Sequence, residues 1–158
     1  MTDFLYLGAD HGGYALKEAF KTVLTAWGYR WEDEGNNVLD QTDDYPLYAL
    51  AVAKKVARDQ ENGKDAKGIL ACRTAAGMAI AANKVKGIRA VAPYDIQSAI
   101  LSREHNDANI LVLAGDFLRE NEAREMMHAW LASEFTGEER HRRRLEQIRK
   151  FEQDSDKV

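Results

Sequence analysis

The chain of 158 residues has the length of one ordinary domain, and its apolar fraction of 45% is enough to form a hydrophobic core. Charged residues make up 30% and are mixed in sign with a net charge of −4, which argues against a disordered chain and a general nucleic-acid binder. A single cysteine excludes an internal disulfide, and no apolar run approaches the roughly 20 residues of a membrane span, so we expect a soluble cytoplasmic protein.

Strands and helices are predicted to alternate from the start of the chain. A buried strand at 4–8 ends at a glycine, and apolar residues at helical spacing then predict a helix over 14–27 that ends at Gly28. A weak strand follows at 29–32, and Pro46 opens a helix that runs to about residue 58, because proline suits a first helical turn.

The second half of the chain continues this alternation. It is predicted to contain strands at 68–72, 88–92 and 109–114 and helices at 75–84, 94–103, 118–133 and 138–152, with a polar tail after residue 151. Helices of this length between strands require parallel pairing, and nearly all-apolar strands indicate that both faces of the sheet are covered. The sequence therefore predicts one α/β domain over 1–158, a three-layer α/β/α sandwich with a five-stranded parallel, Rossmann-like sheet.

A loop with a cysteine is predicted at the carboxyl end of the third strand, where parallel sheets bind ligands. It runs from Cys72 to Gly77 and leads into a helix. Free N–H groups at a helix N-terminus favour an anion and can lower the pKa of a thiol, which would make Cys72 a thiolate base or nucleophile. A buried cysteine that only fills space at a strand end is the alternative.

A second loop follows the first strand and contains Asp10, His11, Gly12 and Gly13. Two adjacent glycines would let a ligand approach the backbone closely, which favours a binding role for the acid and the imidazole. A turn with a solvent-exposed histidine is the alternative.

A polar cluster at 103–107, which includes His105 and Asn106, precedes the fifth strand. It therefore lies near the amino ends of the strands, at the opposite edge from Cys72 within one chain. If His105 and Cys72 share a site, the histidine must come from a second subunit. A cationic histidine at a helix C-terminus would also explain the cluster.

The last predicted helix carries Arg140 and Arg144 four residues apart, hence on one face. Two guanidinium groups on one face suit a phosphate, although a solvated basic helix balanced by neighbouring glutamates is the better explanation of this pattern taken alone. The four histidines form no close ligand pair with the cysteine, and the acidic residues lack a partner motif, so we expect no metal.

Taken together, these segments resemble the ribose-5-phosphate isomerase B family, which includes the galactose-6-phosphate isomerase subunits. The likeness extends in order over about residues 4–150 and rests on Gly8–Gly13, Thr42–Pro46, Cys72, Ala81–Lys84, Gly87–Ala90 and Ser102–Asn106. No single segment is specific, whereas the ordered combination is.

The resemblance implies an aldose–ketose isomerase without metal or cofactor, which converts ribose 5-phosphate to ribulose 5-phosphate through a cis-enediolate. By this likeness Cys72 is the base that moves a proton between C1 and C2, His105 is the acid that opens the furanose ring, and Thr74 places a hydroxyl beside the enediolate. The substrate-binding residues implied are Asp10, His11, Tyr45, Arg73, Ala75, Ala76, Gly77, Asn106, Arg140 and Arg144.

The family is dimeric, with sites between subunits. We therefore expect a homodimer in which the C-terminal helix extends to the partner subunit, with further pairing into a tetramer left open. The small-molecule partner is a sugar phosphate, and neither a nucleic acid nor a membrane is expected as a partner.

The loop after the cysteine departs from the family pattern. Where that pattern is Gly-Thr-Gly-x-Gly, this chain has Arg73, Thr74, Ala75, Ala76 and Gly77, so two glycines are absent. After the fifth strand, an aspartate at position 116 stands where many members carry an arginine near the phosphate. We hypothesise a compensating exchange, in which the charge lost at position 116 is regained at position 73. Drift with a solvent-facing arginine is the alternative, and another four-to-six-carbon sugar phosphate stays open as the substrate.

Other chemistries fit less well. A cysteine phosphatase needs an arginine six residues after the cysteine, and that position holds Met78. A redox function needs a resolving cysteine, which a chain with one cysteine lacks. A non-catalytic module that binds a sugar phosphate or nucleotide on the same scaffold stays open, because the loop is altered.

Overall fold

The computed structural model describes residues 4–155, over which five strands and six helices alternate until the last two helices. In chain order the elements are β1 Phe4–Ala9, α1 Tyr14–Ala26, β2 Trp31–Asp33, α2 Tyr45–Glu61, β3 Ala66–Cys72, α3 Ala76–Ala82, β4 Ala90–Val91, α4 Ile96–Asn106, β5 Ile110–Ala114, α5 Glu120–Ala132 and α6 Glu139–Ser155.

The five strands form one parallel sheet in the order β2-β1-β3-β5-β4. Apolar residues alternate between its faces and build two cores. Leu7 and Leu111 pack toward α1, α4 and α5 on one face, together with Phe20 and the fully buried Trp130. The other face packs on α2 and α3. The predicted three-layer α/β/α sandwich with a five-stranded parallel sheet is therefore confirmed.

Some element boundaries differ from the predicted ones, for local reasons. The fourth strand is shorter than predicted because the backbone N–H of Arg89 donates to the side chain of Asn109 instead of a strand. The fourth helix begins later because Asp95 caps it by accepting from the N–H of Ser98. The last helix continues to Ser155, about three residues beyond its predicted end.

The strand order places a topological switch point between β1 and β3. The chain leaves β1 toward β2 on one side and then crosses to β3 on the other, so the loops after β1 and β3 diverge to opposite faces and leave a crevice between them. Both loops singled out in the sequence border this crevice. None of the helices in residues 4–155 is long and apolar enough to cross a membrane.

Candidate active site

Cys72 is the last residue of β3, at the carboxyl edge of the sheet, and only 5% of it is exposed. The backbone amides of Thr74, Ala75 and Met78 face the thiol and lower its pKa. Burial acts more strongly in the opposite direction and, helped by the charge of Asp10, raises the pKa of Cys72 above its usual value. The expectation of a helix-stabilised thiolate is therefore wrong for this chain by itself, because desolvation outweighs the amides of a short helix.

The loop after Cys72 keeps a backbone shape that suits glycine although it contains alanine. Ala75 has a φ of 65°, in the left-handed region, and its side chain is buried. A Cβ in this region is strained by roughly 1–2 kcal/mol. Position 75 therefore carries a strain that a glycine would not have.

Glycines allow the loops after β1, β3 and β5 to touch. A Cβ on Gly13 would lie 2.0 Å from the carbonyl oxygen of Ala71, and one on Gly115 would lie 2.5 Å from the carbonyl oxygen of Gly12. The N–H of Gly115 also donates to the carbonyl of Cys72 at 2.7 Å. The backbone around the thiol is therefore held by three neighbouring loops.

Asp10 and His11 line this edge, each with a defined partner. One carboxylate oxygen of Asp10 accepts from the N–H groups of Gly12 and Gly13 at 3.0 and 3.1 Å, while burial raises the pKa of Asp10. The Nδ1 atom of His11 lies 2.6 Å from a carboxylate oxygen of Asp43, and this hydrogen bond raises the pKa of His11.

Tyr45 joins the same group from the start of α2. Its ring lies against Gly77, where an added Cβ would come within 2.8 Å of the ring carbon Cζ. We refer to Asp10, His11, Tyr45 and residues 72–77 as the cysteine half of the site. These are the residues that the fold brings together around Cys72.

Arg73 and Asp116, the two charges of the hypothesised exchange, form an ion pair. The Nε atom of Arg73 donates to Asp116 at 2.9 Å, and the N–H of Asp116 donates back to the carbonyl of Arg73. The stem of Arg73 crosses Gly12, since a Cβ there would lie 2.1 Å from the Cγ of Arg73. The side chain of Arg73 is 65% exposed, yet this packing and the ion pair give it a fixed place above the loop of His11.

Asp10, His11 and Asp43 form a compact group of acidic and imidazole side chains, whose oxygen and nitrogen atoms lie within 4.8 Å of one another. It is the one such group among residues 4–155. Its oxygens already accept hydrogen bonds from backbone N–H groups and from the imidazole, so protein donors account for this arrangement.

The other predicted residues lie elsewhere in the fold. His105 and Asn106 end α4, and Arg140 and Arg144 are exposed on the first turns of α6. The two helices meet where the ring of His105 packs on that of His141, with centroids 4.3 Å apart. We refer to His105, Asn106, Arg140 and Arg144 as the histidine half of the site.

The two halves lie at opposite ends of the strands in one chain, the cysteine half at the carboxyl ends and the histidine half at the amino ends. α4 ends shortly before β5, whose first residue pairs with Gly68 and whose last residue, Ala114, pairs with Cys72. Five residues of a parallel strand span about 13 Å. Cys72 and His105 are thus separated by the length of a strand, as the sequence predicts for a single chain.

Three further polar residues were not found from the sequence. Asp43 and Asn36 form a hydrogen-bonded group with His11, and His141 is 97% buried beneath His105. Asp43 lies in a segment that carries the family likeness, but its contact with His11 spans 32 residues and leaves no periodic signal. His141 lies within a run of arginines, and this charged pattern gives no indication that the residue is buried.

Comparisons with known proteins identify the family of the chain. A family model described as ribose/galactose isomerase matches residues 5–148. Ribose-5-phosphate isomerase B of Escherichia coli is 40% identical over 146 residues, which cover 92% of this chain and 94% of that protein.

Solved structures show the same fold. The structure of ribose-5-phosphate isomerase B from Mycoplasma genitalium with bound ribulose 5-phosphate has a TM-score of 0.90 and 35% identity, covering 97% of this chain and 99% of that one. The corresponding protein of Clostridium thermocellum has a TM-score of 0.88 and 39% identity, with 96% and 99% covered.

Proposed function

The chain belongs to the ribose/galactose isomerase family, and we propose that it interconverts ribose 5-phosphate and ribulose 5-phosphate with Cys72 as the base. The enzyme class, an aldose–ketose isomerase acting on a sugar phosphate, follows from the relatives and from a ligand-bound structure at 35% identity. We propose in addition the identity of the pentose phosphate and the roles of the individual residues. The observation that carries them is Cys72 at the switch point of the sheet, with three backbone amides facing its sulfur.

The proposed reaction begins with the closed sugar. His105 gives a proton to the ring oxygen while the C1 hydroxyl gives its proton to solvent water, so that the bond between C1 and the ring oxygen breaks and the furanose opens to the free aldehyde. The Cys72 thiolate then removes the proton from C2, and the electron pair moves to O1 to give a cis-enediolate. Return of the proton to C1, with proton transfer from O2 to O1, yields the ketose. In this proposal the amides of Thr74 and Ala75, which face the sulfur of Cys72, also donate to the oxyanion of the enediolate, at a few kcal/mol per donor.

Substrate binding is divided between the halves in this proposal. Asp10, His11 and Tyr45 contact the sugar in the cysteine half, together with the loop at 73–77. Asn106 contacts it from the histidine half. Arg140 and Arg144 bind the phosphate, as the exposed guanidinium groups of one helix face allow. Because the halves lie at opposite edges of one sheet, the complete site requires a second copy of the chain, and we place this homodimer in the cytoplasm.

Exchange of substrate hydrogen for deuterium tests whether Cys72 is the base. Ribulose 5-phosphate in deuterated water should take up deuterium at C1 in the presence of the protein, and Cys72→Ala should remove this uptake. Cys72→Ala is expected to keep the fold, since the change only deletes a sulfur atom. Uptake at the native rate in Cys72→Ala would refute the role of the thiol. Binding of the sugar phosphate without any exchange by the native protein would instead favour a non-catalytic binding module.

The ion pair of Arg73 and Asp116 shows that Arg73 reaches position 116, as the compensating exchange requires, while the carboxylate offsets part of its charge. In the proposed site Arg73 uses Nε to hold Asp116 and turns its other nitrogens to the substrate anion. Arg73→Gly should lower kcat/KM for ribose 5-phosphate about tenfold to a hundredfold, as for a lost charged hydrogen bond. Arg124→Gly removes an exposed arginine on α5 and serves as the control. An Arg73→Gly protein with native kinetics on a panel of aldose phosphates would favour drift.

A further inference from the structure

Asp43 is a buried carboxylate in the wall of the cysteine half, and only 3% of its side chain is exposed. One of its oxygens accepts two hydrogen bonds from a single residue, the ring Nδ1–H of His11 at 2.6 Å and the backbone N–H of His11 at 3.1 Å. Its other oxygen accepts from the side-chain amide of Asn36 at 2.5 Å. These three donors converge on one carboxylate, two of them from the same histidine, and the phenol of Tyr48 also interacts with it.

These bonds determine the protonation of the imidazole. A carboxylate can only accept here, so the hydrogen of the short bond belongs to the Nδ1 atom of His11. Nε2 is then the ring nitrogen available to a ligand. Asn36 is itself fixed, because its backbone N–H donates to the carbonyl of Ala9 at the end of β1. The orientation of the ring is therefore tied to the sheet.

We propose that Asp43 is a positioning residue of the isomerase, which holds His11 as the Nδ1–H form so that Nε2 meets an oxygen of the substrate. This inference rests on the proposed function and assigns to His11 a specific atom and to Asp43 a role through His11. Asp43 does not touch the substrate in this arrangement. Its buried carboxylate keeps a ligand-binding imidazole in one orientation before the substrate arrives.

The charges around His11 support a cationic ring. Its hydrogen bond to Asp43 raises the pKa of His11, and so does the negative charge of Asp10, while burial and the positive charge of Arg73 lower it. Asp40 also lies within electrostatic reach of the ring. The net direction is upward, so His11 stays charged to a higher pH than a free histidine and loses its charge as the pH rises through the raised pKa. Below that pH, Nε2 carries a hydrogen and donates to a substrate oxygen.

Nuclear magnetic resonance tests this orientation without any turnover. Long-range proton–nitrogen spectra of the imidazoles report the tautomer and titration of His11, which a His11→Asn variant identifies among the four histidines. In Asp43→Asn the titration midpoint of His11 should fall, and in Asp43→Ala the Nδ1–H preference should also disappear. Asp44→Asn removes the same charge from the adjacent, exposed aspartate, which caps α2 without a side-chain hydrogen bond, and should leave both signals unchanged.

Kinetics then tests the role in the reaction. Asp43→Asn should raise KM for ribose 5-phosphate at least about tenfold below the His11 midpoint, with a smaller effect on kcat. The difference from the native protein should shrink above that pH, and Asp43→Glu should restore part of the affinity. Thermal unfolding of each variant identifies a loss of fold.

The outcomes separate the two proposals. An unchanged tautomer and midpoint in Asp43→Ala would refute the positioning role, whatever the activity. A shifted midpoint with a native KM would show that His11 is not held for this substrate. A native protein that turns over no sugar phosphate would refute the proposed function, while the spectra would still decide whether Asp43 orients the ring.

Discussion

At the scale of single residues, Cys72 combines an acidic neighbour with a buried position, and both oppose its ionisation. A thiol in this setting is mostly protonated at neutral pH, and the thiolate fraction that the proposed base needs grows as the pH rises. The backbone amides of Thr74, Ala75 and Met78 oppose this rise in the pKa of Cys72 but do not cancel it. The pKa of the base is therefore a property that one nearby side chain can change.

Asp10→Asn should lower the pKa of Cys72, because it removes the negative charge that helps to raise it. Alkylation by iodoacetamide at increasing pH measures this pKa directly, since Cys72 is the only cysteine and every label belongs to it. The midpoint of the alkylation profile should move to lower pH in Asp10→Asn. Glu61→Gln, a charge removed at the far end of α2, serves as the comparison. An unmoved midpoint would contradict the electrostatic account of the thiol.

His105→Asn should separate ring opening from proton transfer. Ribulose 5-phosphate cannot form a furanose because its O5 carries the phosphate, so its exchange at C1 needs no ring-opening acid. We expect His105→Asn to lose at least about a hundredfold in turnover of ribose 5-phosphate, the usual range for a general acid. Deuterium uptake by ribulose 5-phosphate should stay within a few-fold of native. Equal loss of both would mean that His105 takes part in the proton transfer itself.

At the scale of elements, most of the fold could be predicted because the strands are short apolar runs with clear ends. β3 and β5 are buried along nearly their whole length. In a chain of this size, such short apolar runs are stable chiefly as inner strands of a sheet that is covered on both faces. β4 was predicted too long, since the apolar pattern does not reveal that the N–H of Arg89 bonds to a side chain. Local caps and pairings of this kind shift ends by a few residues without altering the topology.

The candidate site was less predictable than the fold. Cys72 stood out because it ends a strand, and Asp10 and His11 because they directly follow one; strand ends can be predicted from the apolar pattern alone. The contact of Asp43 with His11 depends on how a loop returns to the sheet, which no local spacing encodes. The pKa of Cys72 depends on how deeply the thiol is buried. Whether this pKa is raised or lowered could therefore be decided only from the folded structure.

Ala75→Gly should leave the free energy of unfolding within about 1 kcal/mol of native. The relief of left-handed strain, roughly 1–2 kcal/mol, is offset by chain entropy and by the loss of a buried methyl group. Ala79→Gly lies inside α3, where no strain is relieved, and should cost about 1 kcal/mol. Urea denaturation of both variants measures the contrast. A larger loss for Ala75→Gly than for Ala79→Gly would show that the loop carries no such strain.

At the scale of the whole molecule, the two halves of the candidate site are separated by the length of a strand within each chain. The ion pair of Arg73 with Asp116 lies on one edge, and the packed rings of His105 and His141 lie on the other. In the proposed homodimer each site takes one half from each copy, so two defective chains can complement each other.

Mixing Cys72→Ala with His105→Asn should restore activity that neither variant has alone. In a mixed dimer one site carries both substitutions and the other carries neither. Random exchange of subunits should therefore recover about a quarter of native activity. Mixing Cys72→Ala with Asp10→Ala, both changes in the cysteine half, should recover none. Failure of the first pair to recover activity, with subunit exchange verified by mass spectrometry, would exclude a shared site.

The separation of Cys72 from His105 by a strand's length also has a consequence for kinetic order. In the proposed site, a folded single chain would hold the base without the ring-opening acid, so isomerisation of the closed sugar would depend on association into the proposed homodimer. On dilution below the dissociation constant of the dimer, the rate should fall with the square of the chain concentration instead of in proportion to it. The length of one strand would thereby make the activity per chain depend on the concentration of this protein.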